Sequence, residues 1–361
     1  MWQNPRIQTL FNIEQPIIQA PMAGSSSAAL VAAVSNAGGL GSFGAAPLAP
    51  EALKPLIQEI RQLTDRPFNI NLFAPETERV DPDQQPGDAF ATLLQDFHRE
   101  SELSETLPGP RKLFGPAEEQ LAVLIEEKVP IISYHFGIEQ HQVDSIHRAG
   151  LKVICSATTL AEAKHLDGLG VDAIIAQGTE AGGHRGTYLG DASQGLIGTL
   201  ALVPQIVDAV SVPVIAAGGI MDGRGIVACA ALGASAVQMG TAFLGCKEIN
   251  LAPAWRLHLS TANPSDTTVT SAISGKPARG IRNRYIKEVE LLNEPLLPYP
   301  LQYSMSRELR KKASENDNSD FLVMWSGQGV GMYRSLPAAD LIAALLDEVH
   351  SVQASIQDKP A

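Results

Sequence analysis

Short apolar runs alternate with stretches of helical periodicity along most of the chain. The runs at 16–22 (PIIQAPM), 40–44 (LGSFG), 68–73 (FNINLF), 130–136 (PIISYHF), 152–157 (KVICSA), 172–177 (DAIIAQ), 213–217 (PVIAA) and 236–240 (AVQMG) have the length and content of β-strands. Between them, apolar residues at i, i+3 and i+4 predict helices over 28–37, 53–64, 140–149, 160–169, 200–210 and 225–232, with an amphipathic helix over 340–352 closing the pattern. Strands that alternate with helices build parallel β/α units. Several of the runs are apolar on both faces, as in a sheet covered on both sides. Eight units favour a closed (β/α)₈ barrel. An open doubly wound sheet would want a GxGxxG turn after the first strand, where this chain has PMAGSSSA.

Two segments break the repeat. The first, 75–115, follows the third strand and is polar, with prolines at Pro75, Pro82, Pro86 and Pro108. The second, 247–324, follows the eighth strand and is mixed in composition. Loops after barrel strands lie on the C-terminal face. The expected organisation is therefore a barrel formed by 1–246 and 325–361, an insertion at 75–115, and a smaller cap domain at 247–324.

A chain of 361 residues suits one barrel with insertions or two average domains. With 45% hydrophobic and 18% charged residues, global disorder is excluded. Lys plus Arg number 27 against 39 Asp plus Glu, a net charge of −12, so nucleic acid and anionic membranes are poor partners. Cys155, Cys229 and Cys246 are odd in number, far apart and set in apolar surroundings. They read as core residues of a reduced, cytoplasmic protein. No apolar run approaches the 18 or so residues of a membrane span, and the first residues lack a signal-like apolar region. No metal-ligand spacing is present. A monomer and a homodimer both remain open.

Barrels of this kind do chemistry at the C-terminal ends of their strands. Those positions form a polar set: Met22, Asn69 and Asn71, His135, Gln177, Gly218 and Gly219, and Gln238, Gly240 and Thr241. The seventh and eighth strands run into AAGGIMDGRG and QMGTAF. Glycines admit a ligand close to the backbone, and a helix N-terminus favours an anion. A phosphate on the Gly219, Gly240 and Thr241 amides is expected, aided by the helix from Gly225. The sixth strand leads into AQGTEAGGHRGT, where a flexible glycine pair presents His184, a general acid or base by residue type. His135 is either functional or a strand-end core histidine. His98, His141, His147, His165, His258 and His350 read as solvated. The amides of Asn71 and Gln177 both donate and accept, and so suit the edge of a mixed-polarity heterocycle such as a flavin. Glu180 either orients a ligand or caps its loop.

In order and spacing, QAPMAG, SNAGGLGS, NINLF, HFG, AQGTEAGGHRGT, AAGGIMDGRG, QMGTAFL and SGQG resemble the nitronate monooxygenase family, over most of the chain. The resemblance implies a (β/α)₈ barrel with FMN at its mouth and oxidation of alkyl nitronates by O₂ to a carbonyl compound and an oxidised nitrogen anion. Propionate 3-nitronate is the implied substrate. It places FMN against Met22, Asn71, Gln177, Gly182, Gly219, Gln238, Met239, Gly240 and Thr241, and makes His184 the catalytic base. The insertion and PYPLQYSMSR resemble the class I branch. Tyr299, Tyr303 and Arg307 fall at i, i+4 and i+8. On one helix they would share a face and line the substrate pocket beside His135, with Arg307 as the cation. Two positions depart from the family pattern: the MAGSSSAA loop, and Arg307 where lysine is expected. Three competing readings remain. One is an FMN- and NAD(P)H-dependent enoyl-acyl-carrier-protein reductase, whose chain is expected to lack the 75–115 insertion. Another is an inosine-phosphate dehydrogenase-like barrel, which would need a cysteine in the GTEAGGHRG loop. The last is a flavin-binding protein without turnover.

Overall fold

Side chains of a β-strand point alternately to opposite faces, so in a closed barrel every second residue of every strand must share the interior. The computed structural model describes residues 5–74, 80–81, 83–111, 113 and 116–357 and shows that arrangement. Its strands are β1 (Ile17–Gln19), β2 (Gly41–Gly44), β3 (Phe68–Phe73), β4 (Ile131–His135), β5 (Lys152–Ala157), β6 (Ala173–Gln177), β7 (Gly183–His184), β8 (Val214–Ala217), β9 (Ala236–Met239), β10 (Thr267–Thr270) and β11 (Ala278–Ile281). The parallel sheet runs β1-β9-β8-β6-β5-β4-β3-β2, and a parallel bridge from Ile18 to Leu40 joins its two ends. This is the predicted (β/α)₈ barrel, with every predicted strand in place to within three residues at either end.

Alternation also explains where the barrel is greasy and where it is polar. Near the floor the inward residues are Ile18, Ile131, Ile154, Ala173, Ile215 and Ala236, which form one buried cluster with Ile7, Phe11 and Ile13. The short helix Arg6–Phe11 thus plugs the bottom. Two residues further along each strand, or four, the same inward row reads Ser133 and His135, Ser156, Gln177, and Gln238. The floor is apolar and the mouth more polar because β4, β5, β6 and β9 change character along their inward face, while β8 stays apolar through Ala217.

The predicted helices are present, most with slightly shifted ends: Ala28–Asn36, Pro50–Leu63, Gln140–Arg148, Leu160–Leu169, Thr199–Val207, Gly223–Ala231 and Ala338–Gln357. Within 75–115 the structure adds a helix, Asp88–Glu100, whose Phe90, Leu94 and Phe97 are buried. Pro75, Pro82 and Gly115 lie outside the described residues. His98, read as solvated, is fully buried on this helix, with Nδ1 2.7 Å from the Ser104 carbonyl. Its neighbours Leu94 and Phe97 form the apolar face, which has helical rather than loop periodicity.

Residues 247–324 share a sheet with one barrel loop and a core with the barrel's helices. β11 pairs antiparallel with β10 on one side and with β7 on the other, and β7 is part of the loop after β6. The second sheet is therefore shared by the expected cap and the loop that carries His184. Ala272, Ile273, Ile281, Ile286, Leu301 and Leu309 join the same continuous core as the barrel's helices. Among the described residues no helix is long and apolar enough to cross a membrane.

Candidate active site

A cavity of about 360 Å³ opens at the polar end of the barrel. Met22, Asn71, His135, Gln177, Gly182, His184, Gly219, Gln238, Met239, Gly240, Thr241, Tyr299 and Tyr303 all line it. The sequence-predicted set therefore converges, with two exceptions: Asn69, buried with its amide on Ser133 Oγ, and Arg307. Arg307 is exposed and does not line the cavity. The single helix that would have carried all three is not there: Tyr299 precedes the helix Leu301–Met305, which ends at Ser306, and Arg307–Glu315 is a separate helix. The cation beside the tyrosines is Arg310. Its guanidinium lies 3.7 Å from the Tyr303 ring centroid and donates to the Tyr303 carbonyl at 2.7 Å and to Ser306 Oγ at 2.5 Å.

The histidine loop is held from several directions. The His184 carbonyl accepts from Gln177 Nε2 at 3.0 Å and lies 3.2 Å from His135 Nε2. The Gly186 amide donates to Gln177 Oε1 at 2.8 Å. The Gln177 amide is thus committed to the loop at both ends. Arg185, entirely buried, donates to the carbonyls of Gly178, Gln177 and Gly195 at 2.6, 2.7 and 2.9 Å. Glu180 accepts from the Thr199 amide at 3.0 Å and from its hydroxyl at 2.8 Å, capping the helix Thr199–Val207. Its carboxylate thus caps a neighbouring helix rather than its own loop, and the residue also lines the cavity.

The His184 ring sits in an aromatic box, its centroid 5.1 Å from Tyr299, 5.4 Å from Trp325 and 6.0 Å from Phe136. Its Nε2 lies 2.9 Å from Ser274 Oγ, and that hydroxyl donates to the Lys276 carbonyl at 3.0 Å. A serine hydroxyl has one proton to give. Ser274 therefore accepts from His184, whose proton sits on Nε2 and whose lone pair sits on Nδ1. Burial, reinforced by the nearby His135 and the Lys276 charge, lowers the His184 pKa to about 3. Burial likewise lowers His135 to about 4, helped by the charges of Lys276 and Arg185 and opposed by its bond to the His184 carbonyl. Both imidazoles are neutral at pH 7.

The anion cradle differs from expectation in one respect. The helix Gly223–Ala231 has its N-terminal amides taken by carboxylates. Gly223 donates to Glu348 Oε2 at 2.9 Å, and Arg224 and Gly225 donate to Asp222 Oδ1 at 3.0 and 3.2 Å. That helix end is already neutralised, so its dipole is not the feature an anion would use. The amides of Gly219 and Thr241, by contrast, have no acceptor among the described residues. Gly219 is held at φ +70°. Gln238 adds a buried carboxamide oxygen with no partner among the described residues.

Two features escaped the sequence reading. Trp325 and Gly327, which follow the second long segment, line the cavity. Gly327 donates its amide to Thr241 Oγ1 at 2.9 Å, and a Cβ on Gly182 would lie 2.6 Å from the Gly327 nitrogen. Two backbones meet there with no room for a side chain, so the glycine of SGQG was the available signal. Phe136 is a buried non-glycine at φ +72°, a backbone state that costs energy and tends to mark sites. The MAGSSSAA loop is held by its serines: Ser26 Oγ accepts from the Met22 amide at 3.0 Å, and Ser27 caps the helix Ala28–Asn36.

A parallel barrel whose polar mouth gathers a buried neutral histidine and two unpartnered backbone amides has the layout of the (β/α)₈ class, with its polar residues at the C-terminal ends of the strands. Comparison with known proteins gives the family. A family model described as nitronate monooxygenase matches residues 4–348. A nitronate monooxygenase of Pseudomonas aeruginosa is 43% identical over 348 residues, 95% of this chain and 99% of that one. A crystallographic nitroalkane oxidase from Streptomyces ansochromogenes superposes with a TM-score of 0.86 at 36% identity, covering 97% and 99% of the two chains. FabK from Thermotoga maritima superposes with a TM-score of 0.73 at 30% identity, covering 98% of each. The chain belongs to the nitronate monooxygenase family and is an oxidoreductase. Because the FabK match spans both chains, length alone does not separate the two groups.

Proposed function

We propose that this enzyme binds FMN at the barrel mouth and oxidises alkyl nitronates with O₂, propionate 3-nitronate among them, to a carbonyl compound and nitrite or nitrate. The observation that carries the reading is the neutral, buried His184 in an aromatic box beside an anion cradle. The cavity chemistry fits the cofactor. A flavin edge carries an N–H between two carbonyls; the unpartnered Gln238 oxygen suits that N–H, while the Asn71 nitrogen is spent on Ser133. The amides of Gly219 and Thr241, with Gly240, would hold the phosphate. Met22, Gln177, Gly182 and Met239 complete the wall. When bound, the flavin supplies electron transfer between the nitronate and O₂.

The chain's own residues do the rest. Nδ1 of His184 takes a proton from the α-carbon of a neutral nitroalkane. Its depressed pKa makes it a weak base, so a substrate that arrives already as the nitronate is favoured. Tyr299, Tyr303 and Trp325 wall the substrate from water. The buried, unpaired Cys155, Cys229 and Cys246 suit a cytoplasmic setting.

The test is oxygen uptake by the purified protein with propionate 3-nitronate, alongside NADH oxidation. Oxygen uptake without NADH oxidation supports the proposal. NADH oxidation without nitronate turnover overturns it in favour of a reductase related in activity to its FabK-like fold.

A further inference from the structure

His135 lies one layer behind the catalytic histidine, and its bonding admits one arrangement of protons. A backbone carbonyl can only accept, so the contact from His135 Nε2 to the His184 oxygen at 3.2 Å requires the proton on Nε2. The imidazole then has a lone pair on Nδ1, which must be met by a donor. Ser156 Oγ stands 2.6 Å away and is that donor. Ser156 is buried on β5 and lines the cavity. Gly186 lies flat against the pair, since a Cβ there would fall 2.8 Å from His135 Cε1 and 2.9 Å from Ser156 Oγ.

We infer that Ser156 is a positioning residue: by donating to His135 Nδ1 it fixes the tautomer whose Nε2–H, together with Gln177, pins the His184 peptide. The chain of contacts closes on itself. Ser156 holds His135, His135 and Gln177 hold the His184 carbonyl, and Gln177 holds the Gly186 amide two residues on. With that peptide fixed at both ends, the His184 ring has one place to stand. His135 therefore acts through the backbone of His184, and Ser156 decides which of its nitrogens carries the proton. The inference rests on the proposed role of His184 as base for neutral nitroalkanes.

The experiment combines ¹⁵N-histidine NMR with kinetics on the loaded enzyme. In the wild-type protein, His135 should show the pattern of a neutral ring protonated on Nε2. In Ser156→Ala that signature should shift toward a mixture of tautomers. The kcat for a neutral nitroalkane should fall about tenfold with little change in KM, a larger loss than nitronate turnover suffers. The amide N–H of Gln in His135→Gln reaches the place of Nε2 at the His184 carbonyl, whereas that of His135→Asn, one carbon shorter, lies on the Ser156 side, so Gln should retain several times more nitroalkane turnover than Asn. A His135 ring protonated on Nδ1 in the wild type overturns the inference, as does an unchanged nitroalkane kcat in Ser156→Ala. If Ser156→Ala fails to fold, the wild-type tautomer and the Gln–Asn comparison still decide. Wild-type protein that turns over no nitronate would instead defeat the function reading, leaving the tautomer measurement standing.

Discussion

At the residue scale, the proposed base His184 is an imidazole whose basicity is lowered by its surroundings. His184→Asn should reduce turnover of neutral nitroalkanes by about a hundredfold, the usual worth of a general base, and spare more of the turnover of preformed nitronates. Parallel oxygen-uptake assays on the two substrate forms check this, and equal loss on both would remove the base assignment. The same lowered pKa values bear on stability. An unfolded histidine titrates near 6.5, whereas His184 and His135 titrate at about 3 and 4 in the fold. Between those values and 6.5 the unfolded chain binds more protons, so stability falls as pH drops through that window. Melting temperatures from pH 7 to pH 4 should fall less steeply in His184→Asn than in the wild type. His184 itself was legible in the sequence because glycines flank it after a strand. The commitment of Gln177 to the loop was not, since an amide on a strand end reads the same whether it faces a ligand or a neighbouring peptide.

At the scale of the element, the break at Ser306 leaves Arg307 exposed and puts Arg310 against Tyr303, which lines the cavity. Arg307→Ala, at an exposed site, should leave kcat/KM within about twofold. Arg310→Met removes a stacked guanidinium and the two hydrogen bonds that fix Tyr303 and Ser306. It should raise KM about fivefold for a loss near 1 kcal/mol. Steady-state kinetics on the pair separates the two. A spacing of four residues predicts a shared face only while one helix lasts, and nothing in PYPLQYSMSRELR announces where it stops. Capping was easier to misread. Asp222 occupies the N-terminus that the glycine-rich turn had offered to a phosphate. Asp222→Ala should cost about 1–2 kcal/mol, read from denaturant midpoints at unchanged slope. The barrel strands were recovered to within a few residues because buried parallel strands are short, apolar and bounded by turns. The helix Asp88–Glu100 was missed because its surroundings are rich in proline and its apolar face is narrow.

At the scale of the molecule, the apolar floor and the polar mouth divide stability from chemistry. Phe11, 3% exposed, packs its plug against the inward residues of six strands. Phe11→Ala should cost about 3–5 kcal/mol. Activity per folded molecule should stay unchanged, which flavin-normalised rates would verify. The long segments were visible as interruptions of a repeat. What the pattern did not reveal is that one of them donates strands to the loop carrying His184, because pairing between distant strands leaves no periodic trace.

The contact between Gly182 and Gly327 has a consequence for how the enzyme comes into being. The loop with His184 is made long before the SGQG segment that closes on it, and Gly327 also reaches back to Thr241. A nascent chain can lay down most of its barrel while the ribosome still holds the residues that seal the cavity. Binding competence therefore waits for the SGQG segment, and a chain lacking Trp325 and Gly327 would leave a barrel with its mouth unfinished.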